Sequence, residues 1–435
     1  MSRIFYLFLN KIKAFFMLRC ITVGLLFLIA SVAAQTPADR IGQLIQRLSA
    51  DSMDGRGNFN GGLYRAVDVV ERELRSMGVR PVEAKNGYRQ AFTIYQVSAP
   101  NIRIVLNDRD IALSDAIVQS SAEHVNITRP IESILIDEGD NLFAHFGEIL
   151  KRNTPVVALI HPVHERAFRS AKKYLDSKSH HLLLDGKVAR FFLLTGEKSI
   201  RSLSITSANR VEKIELVNLM GMIPGKRAAE KIILSAHLDH IGVIKPVNGD
   251  SIANGADDNA SGVSAVLTLA KHLAATQPER TVMVVFFAGE ELGLLGSEFM
   301  ASQVDADEIV AMVNLEMLGK PSSFGRGHAF MTGYDRSTLG KILNDAVGET
   351  RIHPDPYPEQ NLFLRSDNAS FARLGVPAHT ISVTPIDVDS TYHTVHDEIA
   401  RLDLDNLARV VDMLQKAIMP LIDGSQTPSR VTWDE

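Results

Sequence analysis

Between residues 216 and 420 apolar runs alternate with amphipathic stretches, and each apolar run ends on residues that do not belong in a core. Residues 232–234, 282–287, 312–315 and 378–383 read as strands, and 282–287 is apolar enough to be buried on both faces. Helices are expected over 261–275, 336–347 and about 403–419, with a further short strand at 330–332. This alternation predicts an α/β fold, with a mostly parallel or mixed central sheet and helices on both faces. Ligands bind beyond the carboxyl ends of the strands in such sheets. The residues that follow the apolar runs are therefore the first place to look for chemistry.

The first run leads to His237-Leu238-Asp239. A spacing of two on extended chain sends both side chains to one side, so His237 can bind a metal while Asp239 accepts its other ring N–H. A hydrogen-bonded surface pair has the same spelling. Next comes Asn254-Gly255-Ala256-Asp257-Asp258-Asn259-Ala260-Ser261-Gly262, opening a helix. Small residues let the backbone pass close to an ion, and Asp257 offers two oxygens that can bridge two cations. Asp258, Asn259 and Ser261 also suit a helix N-cap. After 282–287 stand Gly289-Glu290-Glu291, two adjacent carboxylates that are costly to bury unless something positive holds them. They point differently, so one can be a ligand and the other a base; an acidic first helical turn is the competing reading. Glu316 ends a further run, and Tyr392-His393 stand in a late loop. His, Asp, Glu-Glu, Glu and His in this order form a nitrogen and oxygen donor set that suits zinc, with manganese or cobalt behind it. The one cysteine, Cys20, excludes a multi-cysteine zinc site and an internal disulfide framework.

The first 34 residues carry Arg3, Lys11, Lys13 and Arg19 and no acid, then an apolar run over 21–30 and the small residues 31–34. This describes a secretory signal peptide, with cleavage expected after Ala34 and Ala33 as the alternative site. The apolar run is shorter than the roughly 20 residues of a spanning helix, which argues against a retained anchor. Removing the leader takes four positive charges and the cysteine, and changes the net charge from -5 to -9. Such a chain offers no polycation for nucleic acid or anionic lipid. The expected location is exported, periplasmic or secreted.

Residues 35–96 form the start of the main domain, with amphipathic helices at 41–48 and 63–77 around a glycine-rich loop, and Gly78 closing the second. Residues 97–215 change character and read as an inserted α+β domain, with strands at 102–106, 134–136, 156–160 and 191–194 and a charged helix at 164–175. The main domain resumes over 216–423, and 424–435 is a polar tail. His161, His164, His180 and His181 read as scattered surface histidines of the insert. Trp433, the only tryptophan, lies in the tail.

The chain resembles the secreted co-catalytic di-zinc aminopeptidase family, whose relatives include glutamate carboxypeptidases and glutaminyl cyclases. The resemblance is carried by 235–240 (Ser-Ala-His-Leu-Asp-His), 255–262, 289–293, 366–371 with 375–378, Tyr392-His393-Thr394, and the early segments 48–51 and 55–57. It spans most of 40–420 and is weakest in the insert, where relatives carry a protease-associated domain. Carried over, it implies two zinc ions per chain. Asp257, Glu291 and His393 would hold one, and His237, Asp257 and Glu316 the other. It further implies Glu290 as general base, Tyr392 as a hydrogen-bond donor to the reacting oxygen, and Asp239 as the group that orients His237. His240 and His396 flank the ligands. Two positions depart from the family: Glu316 replaces the usual Asp, and Asn368 stands where His is common. The implied function is a metallo-exopeptidase acting on peptides, an aminopeptidase first. The alternatives are a single-zinc acyl transferase of the glutaminyl cyclase kind, a carboxypeptidase, or a metal-free binding protein on the same fold. Oligomeric state is not legible.

Overall fold

The computed structural model describes residues 36–433 except 83–86, 121, 130, 178–179 and 185–187. The expected leader lies outside the described residues. Helix α1 (Pro37–Leu48) starts on Thr36, whose hydroxyl accepts from Asp39 N while the Asp39 carboxylate accepts from Thr36 N, each at 3.1 Å. That reciprocal cap satisfies two orphan donors of the first turn. Helix α2 (Gly62–Ser76) follows the glycine-rich loop. Both helices bury one apolar stripe, Ile41, Leu44, Ile45 and Leu48 in α1 and Leu63, Val67, Val70 and Leu74 in α2.

Strand β1 (Arg89–Leu106) then leaves the main body. It leads to β2 (Ala116–Gln119), β3 (Glu132–Ile136), helix α3 (Leu142–Leu150), β4 (Val156–Ile160), helix α4 (Glu165–Ser177) and β5 (Arg190–Leu194). Strand β6 (Leu203–Ile223) returns antiparallel to β1 along nearly its whole length, from Leu203 opposite Leu106 to Leu219 opposite Arg89. The four short strands form their own sheet in the order β2-β5-β4-β3. One face packs on α3 and α4 through Phe146, Phe168 and Phe192. The other packs on the outer ends of β1 and β6 through Leu159, Phe191, Ile104 and Ile205. The expected insert boundaries, 97 and 215, thus fall inside two continuous strands. Both strands run on past these positions in one antiparallel pair, so no loop marks a boundary there.

The second half supplies β7 (Arg227–His237), helix α5 (Gly262–Ala274), β8 (Arg280–Phe287), helix α6 (Leu295–Ala301) and β9 (Ile309–Leu315). After these come β10 (Ala329–Met331), helix α7 (Leu339–Val347), β11 (Ile352–Pro354), helix α8 (Asn368–Ala372), β12 (Ala378–Ser382) and helix α9 (Leu404–Ala417). The main sheet runs β11-β10-β12-β9-β7-β8-β6-β1. Strands β12, β9, β7 and β8 are mutually parallel, while β10 and β6 flank them antiparallel. The expected mixed α/β sheet with helices on both faces is what forms.

Alternate residues explain the two-sided core. Ile232, Leu234, Val282, Val284, Phe286 and Val313 face α1, α2, α5 and α9. Ile233, Met283, Val285, Phe287 and Met312 face α6 and α8 through Met300 and Phe371. Each such buried side chain contributes about 1.5–3 kcal/mol. The tail folds back, with Val431 N bonding Gly375 O and the Arg336 guanidinium set against Phe363 and Trp433. No described helix is long and apolar enough to cross a membrane.

Candidate metal centre

The parallel register sets the site. His237, the last residue of β7, lies opposite Phe287 of β8, so the Glu290-Glu291 turn begins at the same end of the sheet. Glu316 follows β9 directly and bonds through its N–H to Ile381 O of β12 at 3.1 Å. The loop after β12 returns His393 over these strand ends. Among the described residues, one group of side chains converges tightly enough to hold a metal ion: His240, Asp258, Glu291 and His393. Asp258 lies at its centre. Its Oδ1 is 3.2 Å from His237 Nε2, and its Oδ2 is 3.3 Å from His393 Nε2 and 3.6 Å from His240 Nδ1. Glu291 bridges the same two rings, 2.9 Å from His240 Nδ1 and 3.1 Å from His393 Nε2.

From the sequence the bridging role falls to Asp257, but the structure turns the adjacent Asp258 towards the histidines. Asp257 does not face the histidines. Its Oδ1 accepts from Gly319 N at 2.7 Å and from Ser261 Oγ at 3.2 Å, and its Oδ2 accepts from Thr384 Oγ1 at 2.6 Å. The carboxylate expected to bridge two ions instead ties three loops together, and Asp258 is the one that faces the histidines. Burial, with Asp397 as a second cause, raises Asp257 to about 7.

A buried scaffold fixes this arrangement. Arg56 is fully buried and donates to Leu238 O, Leu48 O, Asn254 O, Gly255 O and Asp258 O at 2.7–3.0 Å. The Asp397 carboxylate receives the backbone N–H groups of Asp257 and Asp258 at 2.9–3.1 Å. Gly255 has φ +60°, and a Cβ there would lie 2.2 Å from Asp258 O and 2.6 Å from Arg56 Nη2. Only glycine permits that approach. From the sequence alone Asp397 and Asn58 had no role, and Arg56 counted only as part of a loop and a matching block. A lone buried arginine or aspartate carries no spacing signal that would expose it.

Asp239 acts on both neighbouring strand ends. Its backbone carbonyl, 3.1 Å from His237 Nδ1, orients that ring, whereas its carboxylate lies 4.0 Å away. The carboxylate instead accepts from Asn58 Nδ2 at 2.7 Å and from the N–H groups of Glu290 and Glu291 at 3.2 and 3.3 Å. Glu316 lies outside the four-residue group and accepts a hydrogen bond from the Ser366 hydroxyl. Asn368, at the position of a common family histidine, bonds Phe363 O at 3.0 Å and accepts from Thr380 Oγ1 at 2.8 Å, so it braces β12 and takes no part in the cluster. The Tyr392 ring stacks on His393 at 3.9 Å between centroids and lines the cleft. In the insert, His164 bonds Asp137 O and His180 stacks on Phe59, both apart from the cluster.

The electrostatics are those of a place that attracts cations. Burial alone would lower His237 and His393. The facing carboxylates outweigh it, Glu290 and Asp258 on His237, Asp258 and Glu291 on His393, and raise His393 to about 10. Burial pushes Glu290 well above the usual carboxylate range, with Glu316, Glu291 and Asp367 adding to it. Glu291 is held at about 2, because His240 and His393 overcome its burial and the repulsion of Asp258. Burial, followed by the nearby carboxylates, raises the Tyr392 phenol far above its ordinary value, so it remains a donor. Nε2 of His237 and Nε2 of His393 are buried and have no aligned hydrogen bond despite their nearness to carboxylates. Ring nitrogens and carboxylate oxygens that converge without sharing protons well are the donor set of a metal ion.

These strand ends open into a cleft of about 890 Å³. Residues 218–418 match the model described as Peptidase family M28. Leucine aminopeptidase 1 of Ajellomyces capsulatus (strain H88) is 30% identical over 242 residues, covering 52% of this chain and 60% of that protein. Leucine aminopeptidase 1 of Trichophyton rubrum is 30% identical over 212 residues, or 44% and 54% of the two chains. The chain thus spans between half and two thirds of the length of these relatives. An aminopeptidase from Aneurinibacillus sp. strain AM-1 shares the fold, with a TM-score of 0.56 at 18% identity over 92% of this chain and 97% of that one. The family resembled by the strand-end motifs is the one matched by the second half of the chain, peptidase family M28.

Proposed function

We propose that this chain is an exported zinc-dependent aminopeptidase that releases N-terminal residues from peptides. The observation that carries the reading is the position of Asp258, one carboxylate oxygen against His237 and the other against His393. A carboxylate so placed, with a histidine at each oxygen, supports a role as a ligand shared between two ions. Asp258, Glu291 and His393 would hold one zinc, and Asp258, His237 and Glu316 the other, with His240 hydrogen-bonded to Glu291 behind the first. Zinc bound there supplies Lewis-acid polarisation of the peptide carbonyl and of water.

The chain's own groups supply the rest. Glu290 lines the cleft beside the proposed ligands and is the group placed to take the proton of the attacking water and pass it to the departing amine. Burial and the nearby carboxylates raise Glu290, and a cation bound beside it would oppose the part due to the carboxylates. Tyr392 keeps its proton and is placed to donate to the oxygen on which negative charge develops. The Asp239 carboxylate, through the N–H groups of Glu290 and Glu291, fixes the turn that carries base and ligand. Export rests on the basic and apolar leader alone.

The test is elemental analysis of the purified mature chain together with hydrolysis of aminoacyl anilides before and after chelation. About two zinc ions per chain and chelator-sensitive release of the N-terminal residue are expected. A metal-free chain, or release that survives complete metal removal, contradicts the reading.

A further inference from the structure

The cleft is divided in charge. Asp258, Glu290, Glu291 and Glu316 line its inner end, whereas Arg365 and Arg373 line its wall. Some surface arginines are matched to acids: Arg89 pairs with Asp68 and Glu71, and Arg169 with Asp115 and Glu165. The two cleft arginines differ. Arg365 is exposed, and its guanidinium reaches the neutral Gln360 Oε1 at 3.2 Å. Arg373, also exposed, follows helix α8 directly. Among the described residues no carboxylate lies within ion-pair distance of either one. Glu298 is the one acid lining the cleft outside the inner four.

Their place along the chain puts them close to the reaction. Arg365 is the neighbour of Ser366, whose hydroxyl bonds Glu316. An anion held by Arg365 therefore sits near the groups that would bind the scissile peptide unit. An unpaired guanidinium presents a planar fork of donors that matches a carboxylate in bidentate fashion.

We infer that Arg365, with Arg373 of the same cleft, binds a carboxylate of the substrate, so that the peptides cleaved best carry a negative charge close to the bond that breaks. The inference rests on the peptidase reading and adds the substrate class to it. A short peptide then meets the cleft with matching polarity, its amine towards the acidic inner end and its carboxylate on the arginines. Two sources supply that group, an acidic side chain next to the scissile bond or the free C-terminus of a dipeptide.

The experiment uses the zinc-loaded full chain and three substrate pairs that differ only in charge. These are Leu-Leu against Leu-Leu amide, Leu-Glu-Leu amide against Leu-Gln-Leu amide, and glutamyl against glutaminyl anilide. At least one pair should show a preference for the carboxylate of about tenfold in kcat/KM, as a charge-assisted bidentate contact provides. The pair that responds identifies the source. Arg365→Gln should bring that ratio close to one, Arg373→Gln should reduce it less, and added salt should weaken it in the unaltered chain. A second readout is calorimetric binding of the same peptides to zinc-loaded Glu290→Gln, with and without Arg365→Gln, where the affinity ratio should move in parallel. Ratios near one in all pairs, or a preference that survives both arginine substitutions, overturn the inference and leave the peptidase reading intact. Failure to cleave any peptide in the panel counts against the peptidase reading itself.

Discussion

In the inserted unit, Arg169 reaches Asp115 at 2.7 Å and Glu165 at 2.9 Å across surface that is more than one third exposed. At the strand ends of the main sheet, Arg56 is fully buried and spends its donors on five backbone carbonyls. The same side chain has opposite consequences in the two places. On open surface the pair competes with water and contributes about 0–1 kcal/mol. In the interior the guanidinium offsets the negative field of Asp258, Asp397, Asp239 and Glu291 and holds their loops in register. The contrast teaches where charge in this molecule matters. It matters where burial and a second element leave a group no alternative partner.

The largest effect sharpens the chemical half of that contrast. Glu290→Gln keeps the shape of the turn and removes the proton acceptor, so kcat should fall by about a thousandfold while zinc content is unchanged. Steady-state kinetics beside elemental analysis would show it, and a variant that turns over normally would remove Glu290 from the mechanism. Next comes the interior scaffold. Arg56→Met leaves buried carbonyls without donors and buried carboxylates without their cation, and should cost at least about 3 kcal/mol, read from denaturant midpoints. Arg169→Met on the insert should cost less than about 1 kcal/mol in the same measurement. Equal costs at the two sites would break the comparison.

A histidine gives the intermediate case. His379 is buried on β12, with Nδ1 2.9 Å from Thr332 O and Nε2 2.7 Å from Ser337 Oγ. Burial lowers it to about 4, so the folded chain keeps it neutral where the unfolded chain takes up a proton. Its contribution is therefore fully present above pH 6.5 and is lost as pH falls towards 4. The loss should approach about 3 kcal/mol. Replacing His379 by Gln should flatten that part of the stability profile between pH 6.5 and 4. An unchanged slope would show that another group carries it.

The core of the fold and most of the site were legible in the sequence, for a physical reason. Strands such as 282–287 must be apolar to be buried on both faces, and a Glu-Glu pair at the end of such a strand stands out against them. His237, Glu290, Glu291 and His393 all come to the strand ends. The choice between Asp257 and Asp258 was not legible. Two adjacent carboxylates in a small-residue loop have the same spacing signature, and which one faces the histidines is decided by distant partners. Thr384 and Gly319 draw Asp257 away, while Arg56 and Asp397 hold the backbone of Asp258. His240 was placed beside the ligands and not in the converging group, for a similar reason. It follows the strand end by three residues, and only the turn of the loop brings its ring to Glu291. The insert boundaries were hidden because β1 and β6 run unbroken through positions 97 and 215.

The central claim is that Asp258 is the shared ligand and Asp257 the brace, and zinc content of the two single variants tests it most directly. Asp258→Asn should purify folded with most of its zinc lost. Asp257→Asn should retain zinc close to that of the unaltered chain and show its damage as a lowered Tm. Zinc lost from Asp257→Asn and retained in Asp258→Asn would contradict the account.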